Sequence, residues 1–306
     1  MLLHASACIA VRCEQLELLQ IDDCRQLSDE SILALCYHGI LPRISFEKCP
    51  HITEEAVLAF ITQSTVPLLS VLCSHNRCIT DKVMINLAHY APQLQELCVS
   101  GCFNISELGY SAVTEACQDL RSLMTSELSA DTLETVSGYI SPNLQVLSLL
   151  DCPSLTDEHI QEIASCTTGL ELLGISNAPL LTNRSLRSIG HNWSNMRSIR
   201  ISECPNLTFK GYRSLAIGCN NLETLFVAHN TNFQDNSLRE FATRCGNLEQ
   251  LILFNTSVSD VGMEFIVSYC VNLTCINIGR TYVGKRGVER LILGCAKLKT
   301  IVYNEM

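Results

Sequence analysis

The sequence predicts an α/β solenoid of about twelve strand-turn-helix repeats, each about 26 residues long, and three observations carry that prediction. An apolar block recurs at nearly constant spacing. Six of the blocks are followed by a capping hydroxyl and an acid, and cysteines return to the same two places in copy after copy. The composition suits a continuous core. With 306 residues, 47% of them hydrophobic, and only 15 Gly and 8 Pro, the chain is neither disordered, collagen-like nor of low complexity.

The strand comes first. The block Leu94-x-x-Leu97-x-Val99-x-x-Cys102-x-x-Ile105-Ser106-Glu107 returns as Leu144-x-x-Leu147-x-Leu149-x-x-Cys152-x-x-Leu155-Thr156-Asp157, and again as Met196-x-x-Ile199-x-Ile201-x-x-Cys204-x-x-Leu207-Thr208. The first apolar residues are Leu16, Leu41, Leu68, Leu94, Leu120, Leu144, Leu170, Met196, Leu222, Leu248, Leu273 and Leu298, with gaps of 24 to 27. So regular a period over the chain predicts a single array over 1–306, with repeats over 13–303 and residues 1–12 as the tail of a preceding repeat's helix. Within a copy, the L-x-L alternation has the two-residue period of a short strand with one buried face.

The helix follows. Ser28-Asp29, Thr53-Glu54, Thr80-Asp81, Ser106-Glu107, Thr156-Asp157 and Ser259-Asp260 each set a hydroxyl at the N-cap and an acid in the first turn. Apolar residues then recur at helical spacing, as in Ile160, Ile163 and Ala164. One such repeat cannot bury its apolar face alone, so the repeats must stack with parallel strands lining a concave side and helices the convex side. The fifth repeat is irregular: Ser126-Glu127-Leu128-Ser129-Ala130-Asp131 replaces the usual turn, and the following gap shrinks to 24. This reads as a deletion, or else as a displaced turn able to present a binding loop.

The cysteines mark two turns. Cys24, Cys49, Cys102, Cys152 and Cys204 follow the strand, where Asn76, Asn230, Thr256 and Thr281 stand in other copies. Cys13, Cys117, Cys219, Cys245, Cys270 and Cys295 lie three residues before a strand's first apolar position, and Cys166 four before. Small thiols at turn positions read as buried, reduced side chains, which places the chain inside the cell, in cytoplasm or nucleus. No C-x-x-C pair occurs, and Cys73, His75 and Cys78 make the nearest approach to a ligand set, so neither metal nor other cofactor is expected. Six N-x-S/T sequons, at Asn104, Asn183, Asn192, Asn206, Asn255 and Asn272, read as chance in that compartment.

Several function classes are disfavoured. A net charge of -10 argues against nonspecific nucleic-acid binding. No run of 18 apolar residues exists to span a membrane, and the opening Met1-Leu2-Leu3-His4 lacks a signal peptide's basic start. There is no phosphate-cradling glycine loop, G-x-S-x-G or H-E-x-x-H, and the eight His are scattered, so no enzyme is expected.

The repeat resembles the cysteine-containing leucine-rich repeat, whose pattern L-x-x-L-x-L-x-x-C-x-x-I-T-D with a helix ending L-A-x-x-C is almost verbatim here. The resemblance covers Cys13 to Tyr303 and implies a ribonuclease-inhibitor-like horseshoe. It looks like the array of F-box/leucine-rich-repeat proteins, in which an upstream F-box holds the Skp adaptor of a cullin-RING ubiquitin ligase and the repeats capture the substrate. No F-box opening of the form L-P-x-E stands before Cys13, so Skp or cullin would be reached only through an F-box not seen in this chain. The implied function is SCF-type substrate recognition in ubiquitin-dependent degradation; the alternative is an F-box-less scaffold or regulatory adaptor outside the ligase.

The strand alternation also picks out the binding face. Residues one before, one after and three after the second apolar position point away from the core. Most of these are small and polar. Phe226, Ile252 and Phe254 are the exception, three large apolar groups on adjacent strands about 4.8 Å apart, with Arg200 one repeat away and Val302 in the same row farther on. They are the expected anchor for a protein partner on the concave face. Val146, Leu150 and Leu172 form a weaker group, and Trp193, between helix and strand, is expected to serve packing.

Overall fold

In the computed structural model, residues 15–36 and 41–304 are described, and among them twelve short parallel strands alternate with eleven helices. The expected helical tail at 1–12 and Cys13 lie outside the described residues. The chain divides into two compact units, Met1–Leu144 and Gln145–Met306.

The first unit holds β1 (Leu18–Gln20), β2 (Arg43–Ser45), β3 (Ser70–Leu72), β4 (Glu96–Cys98) and β5 (Ser122–Ser126), paired in sequence order. Its helices are α1 (Asp29–Cys36), α2 (Glu54–Gln63), α3 (Asp81–Tyr90), α4 (Glu107–Ala116) and α5 (Ala130–Tyr139). The second unit holds β6 (Val146–Leu150), β7 (Leu172–Ser176), β8 (Ser198–Ser202), β9 (Thr224–Phe226), β10 (Gln250–Ile252), β11 (Cys275–Asn277) and β12 (Thr300–Val302), again paired in order. Between these strands run α6 (Asp157–Cys166), α7 (Asn183–Asn192), α8 (Phe209–Gly218), α9 (Asp235–Arg244), α10 (Asp260–Tyr269) and α11 (Lys285–Gly294).

Burial follows the predicted alternation. On β6, Leu147 and Leu149 are sealed while Val146, Ser148 and Leu150 stay partly open. Apolar residues from the strand, the turn and the helix close the core of each repeat. In the repeat that begins with β8 these are Ile199 and Ile201 from the strand, Leu207 from the turn, and Tyr212 and Leu215 from α8, all fully buried. The β-branched Ile199 and Ile201 suit the pleated strand as well as its buried face.

Within each unit, three ladders lock neighbouring repeats together. One or three residues past each strand from β1 to β11 a residue turns left-handed: Asp23, Lys48, His75, Gly101 and Glu127 in the first unit, and Asp151, Asn177, Glu203, His229, Asn255 and Arg280 in the second. All but Gly101 carry side chains, so the stacked turn holds a conformation that L-residues ordinarily avoid. The N–H of His229 reaches the Phe254 carbonyl at 2.9 Å, and that of Asn255 the Gly279 carbonyl at 2.9 Å.

The next residue is the turn position the cysteines mark. Asn230 accepts from the Cys204 N–H at 2.8 Å and donates to the carbonyls of Ile201 and Val227, as Asn76 does with Cys49, Phe46 and Cys73. The Cys102 thiol donates to the Cys73 carbonyl at 3.2 Å. The second cysteine position is the helix C-cap: the thiols of Cys219 and Cys245 donate to the carbonyls of Trp193 and Cys219, the C-caps one repeat earlier. Trp193 holds this same position, fully buried, with Nε1 donating to the Thr167 carbonyl at 2.8 Å, so it is a capping residue as well as packing. Most described cysteines at the two positions are buried as expected, but Cys24 is half-buried and Cys166 is exposed, because Cys166 ends α6 one residue early and the buried Thr167 takes the C-cap in its place.

The third ladder uses the first-turn acids, which do more than face a helix dipole. Asp81 accepts from the backbone N–H and the hydroxyl of Ser106, the N-cap of the next helix, both at 2.7 Å. Asp235 does the same with Ser259, and Asn183 replaces the acid while accepting from Thr208 and Gly211. Part of the chain's acidity is therefore a structural clamp between repeats.

Candidate functional site

The candidate surface lies wholly in the second unit, on β8 to β12. Parallel register places Arg200 beside Phe226, Phe226 beside Ile252, Ile252 beside Asn277, and Asn277 beside Val302. Arg200, Phe226 and Ile252 thus occupy three consecutive strands in one row. Val302, although exposed, is set apart by the polar Asn277 and does not extend the apolar patch.

Phe254 follows two residues after Ile252. Its ring sits edge-on to His229, with centroids 5.2 Å apart, and the Arg280 guanidinium carbon lies 5.5 Å from its centroid. Asn255 Nδ2 and His229 Nδ1 are 3.0 Å apart, holding the imidazole in place. On the β11 side Gly279 leaves the room the ring needs, since a Cβ there would come to 3.0 Å from Phe254 Cδ2 and still closer to Asn304. Phe226, Ile252 and Phe254 all remain partly open to solvent.

Two arginines lie at the edges of this patch. Arg200 and Arg280 are exposed and enter no ion pair among the described residues, and Arg280 lies against the Phe254 ring. Arg197, just before β8, is instead committed to Glu223 at 2.7 Å. An apolar patch with two uncommitted guanidinium groups suits a partner that brings an apolar side chain and a carboxylate.

Sequence reasoning found the apolar residues from the strand alternation and missed His229, Gly279 and Arg280. The available signal was positional: each follows the third outward row or belongs to it on the next strand. The weaker group is also brought together, since Val146 pairs with Leu172, and Leu150 lies on the same face. The possible ligands Cys73, His75 and Cys78 do not converge: the Cys73 thiol is buried against the Cys98 carbonyl at 3.4 Å, and His75 is exposed in the left-handed turn. Three sequon asparagines serve as bridges between turns, Asn104 to the Arg77 carbonyl, Asn206 to that of Pro179 and Asn272 to that of Gly246.

No helix among the described residues is long and apolar enough to cross a membrane. No protein-family model matches the chain, and no curated protein matches it. Among solved structures, a chain from the crystal structure of the Rad7 and Elc1 complex in yeast superposes with a TM-score of 0.81 at 18% identity, covering 97% of this chain and 77% of that one. An internalin (inlF) from Listeria monocytogenes str. 4b F2365 gives a TM-score of 0.51 at 15% identity, covering 99% and 94%. At such identities the likeness speaks for architecture, and the architecture is that of a leucine-rich-repeat solenoid.

Proposed function

We propose that the chain is a protein-recognition array, with its repeats over 13–303 acting as one array, and that it captures its partner through Phe226, Ile252 and Phe254, flanked by Arg200 and Arg280. The observation that carries this reading is the placement of large, half-open apolar side chains on adjacent strands of a face that, from β8 to β12, is otherwise mostly small or polar. The preferred partner segment offers an apolar side chain beside an Asp or Glu. The function is recognition rather than catalysis.

The finer reading is substrate recognition for an SCF-type cullin-RING ubiquitin ligase, inside the cell in cytoplasm or nucleus. Its support is the cysteine-containing repeat pattern, together with thiols that serve as turn and capping groups and would need a reducing compartment. The alternative is a scaffold or regulatory adaptor outside the ligase, and one experiment separates the two.

The test is affinity capture from cells with the full chain and with Phe254→Glu. Partners captured by the wild type and lost by the variant, with a melting temperature within about 2 °C, support the reading. A large loss of thermal stability would show that the ring belongs to the core, and unchanged capture would refute the patch. Recovery of a Skp adaptor and a cullin favours the ligase reading; their absence favours the scaffold.

A further inference from the structure

The turn of the fifth repeat leaves a cleft in the first unit. In the other described repeats the first helical residue comes five or six positions after the left-handed residue, as from Gly101 to Glu107 or from Asp151 to Asp157. From Glu127 to Ala130 it comes after three. One extra residue then stands between the end of the helix and the next apolar block, from Tyr139 to Leu144 against Ala116 to Leu120, which is why the spacing shrinks only to 24. Leu128, buried, takes the cysteine's turn position, and Ser129 caps the helix by accepting from the Thr132 N–H at 3.2 Å.

In several repeats a residue of this stretch covers the turn before it. Asn104 covers Arg77 by donating to its carbonyl at 2.7 Å, and Asn206 and Asn232 do the same for Pro179 and Pro205. The fifth repeat has no such residue, because its counterpart is already helix; Phe103, 64% exposed, and Leu108, in the first turn of α4 and 70% exposed, line the space beside the shortened turn. The acid clamp is displaced too. Glu107 accepts from the Thr135 hydroxyl at 3.1 Å instead of holding the next N-cap.

What remains is a cleft of about 450 Å³ between the fourth and fifth repeats, lined by Phe103, Leu108, Glu107, Glu127 and Asp131 among others, with no Lys, Arg or His in its wall. Glu127 and Asp131 are exposed and enter no ion pair among the described residues. We infer that this cleft is a second docking site, which takes a short segment of a partner protein carrying an apolar side chain flanked by Lys or Arg. The apolar side chain covers Phe103 and Leu108, and the cations answer the three carboxylates. Its charge preference is the reverse of that on the concave patch of the second unit, so the two surfaces select different segments.

The test pans a random 12-residue peptide library on phage against the full chain, then measures the recovered peptides by fluorescence anisotropy. The expected winners carry Leu, Phe or Met beside at least two basic residues. They bind about tenfold or more weakly to Glu127→Lys/Asp131→Lys and to Phe103→Ser, weaken with salt, and bind Phe254→Glu unchanged. A further variant with three residues inserted between Leu128 and Ser129 restores the standard spacing and is expected to abolish binding. A library that yields no winners, winners without basic residues, or winners with equal affinity for all these folded variants would overturn the inference. Because Phe254→Glu leaves this cleft intact, failure here is separable from failure of the concave-face reading.

Discussion

Replacing Asp157 with alanine tests the clamp between repeats where it is most deeply set. Its carboxylate accepts from the Thr182 N–H at 2.9 Å, the Thr182 hydroxyl at 2.5 Å, the Ser185 N–H at 3.1 Å and the Ser185 hydroxyl. Ser185 is fully buried, so water cannot replace the acceptor it loses, whereas Thr182 is partly open. Hydrogen bonds to a charged group contribute roughly 1.5–3 kcal/mol each but do not add, so the loss is set mainly by the two buried bonds, about 3–4 kcal/mol. Asp157→Asn keeps one acceptor oxygen, as Asn183 shows one repeat later, and is expected to cost about half as much.

The pH dependence of this clamp has a definite sign. Burial alone would raise the Asp157 carboxyl, but hydrogen bonds from Ser185 and Thr182 outweigh it and hold the group below its ordinary value. A depressed carboxylate stabilises the fold above its unfolded value, and that contribution is lost as pH falls through the folded one. The gap between wild type and Asp157→Ala in urea unfolding is thus constant from about pH 5 upward and shrinks below about pH 4. Hydrogen exchange at the Ser185 amide localises the effect. A cost under about 1 kcal/mol at pH 7, or a gap that does not narrow in acid, would refute the clamp.

Two further outcomes follow from burial. The Tyr212 hydroxyl is sealed without a hydrogen-bond partner among the described residues, and burial pushes its ionisation up, so Tyr212→Phe is expected to leave urea stability unchanged or raise it by about 1 kcal/mol; a comparable loss would reveal a partner. Burial also pushes the Cys204, Cys219, Cys245 and Cys270 thiols up to about 12, while Cys166 lies exposed. With a thiol reagent at about pH 8, mass spectrometry should find Cys166 modified and those four untouched until the chain unfolds. Modification of any of the four at the rate of Cys166 contradicts their assigned burial.

By itself the sequence determined the period, the strand alternation, the capping hydroxyls and the two cysteine positions, because each is a local pattern that every repeat must satisfy to bury its apolar face. It also picked out Phe226, Ile252 and Phe254, since the two-residue period of a strand fixes which side chains face away from the core. The left-handed row is not legible there, because Asp, Lys, His, Glu, Asn and Arg share no residue type; stacking between repeats, not the side chain, imposes that turn. Tertiary structure alone decided that Arg280, His229 and Gly279 shape the surroundings of Phe254, that Trp193 replaces a capping cysteine, and that the shortened turn leaves a cleft beside Phe103. Each of these depends on a neighbour about 25 residues away, and only the register of stacked repeats says which neighbour that is.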